Sequence, residues 1–483
     1  MMQAFDIKNK KQLLITFLCL LLCLCALLPH LLTSNTESTP YPLEQKPLYY
    51  NAYVQQFDAF MKRQLNIDYE PSEKLLGLDN PYDWQQRKDG KIGHYLWDRA
   101  LYDGKYYSYF GIAPIITIYA PSYLLTNATP SDTVTCTILA VIGMVSLCFA
   151  LINLIKYFKI KVPFYLFIIG LFAVEMGSLL PMLMSSADVY YIASTSAVAY
   201  FSLFLALFFG AMNIEKKALK NALFALCSIA FVLVVMSRPG VALLGILICP
   251  TLFKYFFKSD LKIQEKIISF LCFFIPLAIG AIIVCAYNYL RFDSIFEFGA
   301  KYQLTVYDVS KYSISSTLIF PCIFHYFLQM PILKSEFPFI NLLYAKFVNL
   351  PIPYLYTTST IGALAFLSNW GIVGYGYIIV KAKDFLEQKL TYLLAFVSVF
   401  VLAFFNTCMG GINIRYFADF NFVLILFTTL ILLEIAGLKF KKKKIKILVN
   451  TIISFALIAS VILGILLIFE NERCYILKAL SIM

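Results

Sequence analysis

A chain of 483 residues with 60% hydrophobic and only 14% charged residues, and a mean hydropathy of +0.75, is not a soluble globular protein, where charged residues run at about 25%. The net charge of +12 would suggest nucleic acid as the partner of a soluble chain. Here the lysines stand in short clusters between apolar runs, the pattern of cytoplasmic loops of a membrane protein, so no nucleic-acid role is expected. Most of the 12 cysteines lie inside apolar runs, where cysteine acts as a small hydrophobe. Only Cys322 and Cys474 are expected outside the membrane. With three histidines and no paired spacing, neither a disulfide framework nor a metal site is expected.

In chain order, apolar runs cover 13–33, 134–155, 163–182, 189–212, 221–237, 240–257, 266–289, 359–380, 390–408, 416–437 and 447–469. The first run has a basic start but is long and is followed by no A-x-A site, so it reads as an uncleaved first transmembrane helix. Lysine clusters at 8–11, 156–161, 216–220, 254–266, 381–389 and 439–446 all fall on one side if the eleven runs cross. The N-terminus is then cytoplasmic and the C-terminus outside. The alternation fails if residues 110–126 also cross. That stretch holds Pro114 and Pro121 and is short for spanning, so it is expected to dip into the outer leaflet and return. The expected fold is an all-α polytopic membrane protein of about 11 helices with two extracytoplasmic regions, 34–133 and 290–358. Its organisation divides into 1–289, 290–358 and a C-terminal helical part, 359–483.

The first loop opens with YYNAYVQQFDAFMKRQL. Tyr50, Tyr53, Val54, Phe57, Met61 and Leu65 recur at helical spacing, which predicts an interfacial helix with Asp58 on its opposite, loop-facing side. Asp58 is there either a catalytic carboxylate or a solvated polar-face residue. Further on, RALYDGKYYS reads as a hairpin whose Asp-Gly supplies the positive φ angles of a type I′ turn, which assigns Asp103 to the turn. Asp98, before the hairpin, is not required by a turn. It is a candidate catalytic group or half of a structural ion pair with an arginine.

Later in the chain, Asp188, Arg238, Arg291 and Arg415 stand at the outer ends of apolar runs, where an ionisable group is costly unless it is paired, solvated or functional. Arginine suits bidentate phosphate binding, and snorkelling to the interface is the other reading of each. Glu175 lies inside a run, where burial and pairing are open to it.

An N-cytoplasmic first helix, a long outer loop with an early Asp on a juxtamembrane helix, NPYD, DRALYDGKYYSYFGIAP leading into a short apolar segment, and YNYLRFDSIFEFGAKYQLT together resemble the GT-C class of membrane glycosyltransferases. That class includes protein O-mannosyltransferases and the lipid A aminoarabinose transferase, and the nearest likeness is to bacterial relatives mostly without an assigned activity. The resemblance implies a multi-pass plasma-membrane enzyme that moves a sugar from a polyprenyl-phosphate-linked donor to a glycan, lipid or protein acceptor on the extracytoplasmic face. It implies a first-loop catalytic Asp, which maps to Asp58 or Asp98. The Asp-Glu pair near the first helix and the Lys-Pro-Pro of the aminoarabinose transferase are absent.

The chemistry of the residues fits that implication. Arg238, Arg415 and Arg291 suit a donor phosphate, with Glu297 close to Arg291 in sequence. Tyr106, Tyr107 and Tyr109 offer flat faces for a sugar ring, and a carboxylate takes the acceptor proton. No nucleotide-binding loop is visible and no cofactor is expected beyond the lipid-linked donor, with a divalent metal left open. A surface-polysaccharide polymerase, or a transporter or flippase of lipid-linked sugars, is the alternative. Inverted-repeat carriers carry polar sites at the membrane midplane, whereas the polar residues here gather at the outer ends.

Overall fold

A computed structural model describes residues 4–344, 357–381 and 386–470. Among them ten helices are long and apolar enough to cross a membrane: α1 (Lys10–Thr33), α2 (Asp132–Tyr157), α3 (Phe164–Met184), α4 (Val189–Met212), α5 (Lys217–Val235), α6 (Pro239–Phe257), α7 (Ile263–Phe292), α8 (Leu386–Gly410), α9 (Ile414–Ala436) and α10 (Lys443–Glu470). The expectation of eleven helices is corrected at 359–380. That run passes between the two ends of the bundle in pieces, as 3₁₀ turns at Ala363–Ala365 and Leu367–Trp370 and an 11-residue helix, Gly371–Lys381. The 3₁₀ turns bury Asn369 against α9, where its side chain donates to Ala363 O at 2.9 Å and to Asn421 Oδ1 at 3.2 Å. A continuous helix is given up there in favour of side-chain hydrogen bonds in the bundle interior.

Helices α4 and α9 are buried nearly all round and form the centre. Helices α5, α6 and α7 turn most of their apolar residues outward, toward lipid. Helix α3 is broken at Leu179, whose φ is 66°. The carbonyl of Gly177 would accept from residue 181 in an unbroken helix, but Pro181 has no N–H. Asn421 Nδ2 of α9 supplies the missing donor at 2.8 Å.

The lysine-bearing segments meet at one end of the bundle. Phe5 N donates to Val162 O at 2.8 Å, Tyr157 and Lys254 both hold Glu387, at 2.6 and 2.7 Å, and Lys217 pairs with Glu265 at 2.6 Å. Lys383 and Cys474 lie outside the described residues. The opposite end, here the loop face, carries the two long inter-helix regions, and these are packed as one unit. Leu304 is shared between them: Asp98 N donates to its carbonyl at 3.1 Å and its N–H to Arg99 O at 3.0 Å. The buried Arg87 ties Pro81 O and Thr305 O together, and Leu304 joins Ile67, Leu75, Leu96, Leu101 and Tyr106 in a small core.

Residues 110–126 do not span. After Gly111 the chain forms a π-helical turn at Ile115–Tyr119 and a short helix, Ala120–Thr126. Thr117 Oγ1 reaches the Tyr200 hydroxyl, eleven positions into α4, and the chain then returns to pair Ala128–Thr129 with Thr39–Pro40. The backbone irregularity is tolerated at that depth because protein surrounds it.

Candidate active site

The hairpin forms as its sequence requires. Ala100–Tyr102 pairs with Lys105–Tyr107, and Asp103 and Gly104 have φ of 45° and 67°, the positive pair of a type I′ turn. Asp98 just precedes the hairpin with φ 52°, a conformation Asp tolerates better than most residues. This bend turns its carboxylate away from the loop core and toward the helix ends. One carboxylate oxygen, Oδ2, accepts the Tyr190 hydroxyl; the other, Oδ1, is buried with no hydrogen-bond partner.

Tyr190 occupies the first turn of α4. Asp188 caps that helix, accepting from Tyr190 N at 2.8 Å and Tyr191 N at 3.1 Å, which fixes the tyrosine's direction. The Arg415 guanidinium lies over the Tyr190 ring, 4.6 Å from its centre. Arg415 itself stands in the first turn of α9, where Asn413 Oδ1 caps its N–H at 2.9 Å. No carboxylate lies within ion-pair distance of Arg415 among the described residues, and its buried Nε has no partner. A half-buried guanidinium without a counter-ion attracts an anion.

Arg238 is neutralised. Its Nη2 pairs with Asp419 Oδ2 at 3.0 Å, its Nη1 donates to Ser194 Oγ at 2.6 Å, and it lies 5.0 Å from the centre of the Tyr416 ring. Asp419 sits one turn beyond Arg415 on α9 and also accepts from Asn406 Nδ2 at 3.1 Å. Below Asp98, the buried Arg99 donates through Nε to Gln55 Oε1 at 2.7 Å and through Nη1 to Trp97 O and Asp98 O. Burial pulls Arg99 below the usual guanidinium range, with Tyr109, Tyr190 and Asp98 opposing that pull.

Tyr109 stacks on Phe110 at 4.3 Å, and Phe110 meets Tyr190 edge-on at 5.6 Å. Burial, reinforced by Asp98 and Tyr190, raises the Tyr109 hydroxyl well above its ordinary value, so it is a neutral donor. Beneath this layer Tyr53 stacks on Tyr119 at 5.8 Å. Tyr53, Tyr119 and Thr195 are all fully buried; the Tyr119 hydroxyl meets Thr135 and Asp132, and the Thr195 hydroxyl meets Cys136, so this layer is interior packing under the site.

Of the residues singled out in the sequence, Asp98, Arg238, Arg415 and Tyr109 are thus brought together. Six others are elsewhere. Asp58 is not open to water on the loop side: helix Ala52–Met61 is buried from Ala52 to Ala59, and Asp58 is paired with Lys62 at 2.9 Å and takes the Tyr41 hydroxyl at 3.2 Å. Arg291 is occupied by Ser108 O at 2.8 Å, Asn288 Oδ1 at 3.0 Å and the Tyr287 ring, which anchors the hairpin to the end of α7. Glu297 closes a local turn on Gly299 N at 2.6 Å and pairs with Lys301 at 3.1 Å. Tyr106 is in the loop core, and Tyr107 packs on Phe292 at 5.4 Å. Glu175 is fully buried in α3 with neither carboxylate oxygen bonded. Among the described residues no three His, Cys, Asp or Glu side chains gather in a way that could hold a metal ion.

Sequence reasoning passed over Tyr190, Asp419, Ser194, Tyr416 and Arg99. Asp419 had a usable signal, since it follows Arg415 at helical i,i+4 spacing. Tyr190 had none, because a tyrosine at a helix end reads as interfacial.

No protein-family model matches the chain, and no curated protein does. Its structure is similar to that of an oligosaccharyltransferase from Archaeoglobus fulgidus in the apo form, with TM-score 0.51 and 12% sequence identity over 94% of this chain. A second structure of that enzyme, tethered with an acceptor peptide containing the NVT sequon, matches with TM-score 0.48 and 13% identity. The first match spans 56% of the archaeal chain, so this chain corresponds to about half of it. At this identity the likeness concerns the fold alone.

Proposed function

We propose that this chain is a plasma-membrane glycosyltransferase that moves a sugar from a polyprenyl-phosphate-linked donor to an acceptor hydroxyl at the loop face, with Asp98 as general base. The observation that carries the reading is the pairing of opposites at one spot. A buried carboxylate has one oxygen held by Tyr190 and the other free, and across the Tyr190 ring lies a half-buried arginine with no carboxylate in ion-pair distance among the described residues. The GT-C-type fold supports the same class of reaction.

In this mechanism Asp98 Oδ1 takes the proton of the acceptor hydroxyl, whose oxygen attacks the anomeric carbon. The bond from that carbon to the phosphate oxygen breaks, and its electron pair leaves with the polyprenyl phosphate. Arg415, with Arg238 behind it, stabilises that charge in a poorly solvated place. Tyr190 holds the base in its attacking orientation.

The test is transfer of labelled sugar from a polyprenyl-phosphate donor by the purified protein in nanodiscs, with candidate glycan, lipid and peptide acceptors. Transfer by the parent protein and its loss in Asp98→Asn support the reading. Undiminished transfer by Asp98→Asn removes the base assignment, and no transfer with any donor removes the reaction.

A further inference from the structure

A segment of the second loop region, Ser316–Leu328, forms a short apolar helix that ends in a five-residue π-helical turn, Phe324–Leu328. It contains no Asp, Glu, Lys or Arg. Its inner face is built of Cys322 and Tyr326, both fully buried. Its outer face exposes Phe320, Phe324 and Leu328, spaced one helical turn apart, at 73%, 44% and 46%.

The position of this segment along the bundle is fixed by ring contacts. Phe327 lies 6.1 Å from Phe400 of α8 and 6.2 Å from Phe420 of α9. Phe420 is six positions into α9 from its loop-face end, which is about 9 Å at 1.5 Å per residue. The segment therefore descends beside the spanning helices rather than over them. It then turns back at Gln329, and the turn is satisfied by protein alone. Gln329 N donates to Phe324 O and Gly362 N to Gln329 O, both at 2.7 Å, while Gln329 Nε2 donates to Leu343 O and Thr360 O at 2.9 Å. Backbone reversal within an apolar layer requires this complete internal satisfaction. It also requires close approach, and a Cβ on Gly362 would stand 2.6 Å from Gln329 N.

We propose that Ser316–Leu328 is a second re-entrant insert, set in the membrane beside α8 and α9, and that lipid acyl chains cover its outer face. Two observations choose acyl chains over a protein partner. The face is continuous with the outward apolar surface of α8, where Leu393, Val397, Phe400 and Val401 are exposed, and the segment lacks the charged rim of a protein-docking patch. The insert also reaches the candidate site. The Tyr326 hydroxyl accepts Asn413 N–H at 3.1 Å and faces Gly411 O at 3.3 Å, which holds the turn from which Arg415 projects. The inference does not rest on the glycosyl-transfer reading.

The experiment places a single tryptophan at Phe324 (Phe324→Trp) after Trp84, Trp97 and Trp370 are replaced by phenylalanine, with the protein in nanodiscs. Bromine-substituted acyl chains quench tryptophan only on contact, and acrylamide quenches only from water. The expected result is about two-fold or greater loss of emission in brominated lipid with little effect of acrylamide. A protein retaining only Trp84, in the loop unit, should show the reverse. Quenching by acrylamide alone, or by neither agent, overturns the proposal. Phe320→Trp reads the same face if Phe324→Trp does not fold.

Discussion

Gly111 lies backbone to backbone against Met236: a Cβ on the glycine would stand 2.0 Å from the Met236 carbonyl oxygen. Two residues on, Ala113 N donates to that same oxygen at 3.1 Å. The hinge that carries Tyr109 and Phe110 is thereby seated directly on the end of α5, next to Arg238. Gly111→Ala should force the two chains apart, destabilise the protein by about 1–3 kcal/mol and impair sugar transfer more than its loss of stability accounts for. Thermal unfolding in detergent and the transfer assay, measured together, check this. An alanine variant with parental stability and rate would show that the close approach is dispensable.

Asp98→Asn removes the proposed base while keeping an oxygen for Tyr190. Its expected effect is a fall in kcat of about 10²–10⁴-fold with little change in melting temperature. Asp58→Asn should do the opposite, keeping the rate within a few-fold and lowering stability by about 1 kcal/mol, because Lys62 is partly exposed and keeps Asp68 as a partner at 2.7 Å. If the two variants exchange these phenotypes, Asp58 is the base.

Arg415 and Arg238 should respond differently to substitution. Arg415 has no carboxylate to abandon, so Arg415→Gln should raise KM for the lipid-linked donor by about 10–100-fold, the equivalent of one or two charge-assisted hydrogen bonds, and leave folding intact. Arg238→Ala strands the buried Asp419 and should cost about 3–5 kcal/mol. The double variant Arg238→Ala with Asp419→Ala should recover much of that loss. A double-mutant cycle on unfolding free energy measures the coupling, and strict additivity would contradict the ion pair.

The alkaline limb of stability should depend on Tyr106. Burial raises its hydroxyl above the ordinary tyrosine value in the folded protein, so the folded state holds this proton more tightly than the unfolded chain does. Its contribution is fully present below about pH 10, where the unfolded tyrosine titrates, and is lost as pH climbs toward the folded value. Tyr106→Phe should therefore flatten the fall of stability above about pH 10 by ~1.4 kcal/mol per pH unit. An unchanged slope in chemical denaturation would mean that the hydroxyl does not ionise on unfolding in that range.

The spans were legible because about twenty consecutive apolar residues have few other solutions. Leaving 110–126 out of the count was legible because a crossing there would have split the lysine clusters between two sides. The broken passage at 359–380 and the insert at 316–328 were not, since hydropathy does not distinguish a 3₁₀ turn from an α-helix or a dipping segment from a buried loop helix. At the site, Arg238 and Arg415 were visible because charges at the ends of apolar runs need a reason, and Asp98 because the hairpin it precedes does not require it. The burial of Asp58 was not legible, because helical periodicity describes one face and assumes that the other meets water. Here the loop unit covers that second face as well, and Gln55 and Asp58 are buried with the rest.

The bond between Asn421 and Gly177 sets Arg415's height from below. Asn421 lies six residues past Arg415 on the same helix, and Thr428, two turns deeper, donates to Asn369 at 3.0 Å. Sliding α9 by a single turn would leave the Gly177 carbonyl without a donor in a layer that holds no water to replace it. The arginine therefore stands on a fixed post.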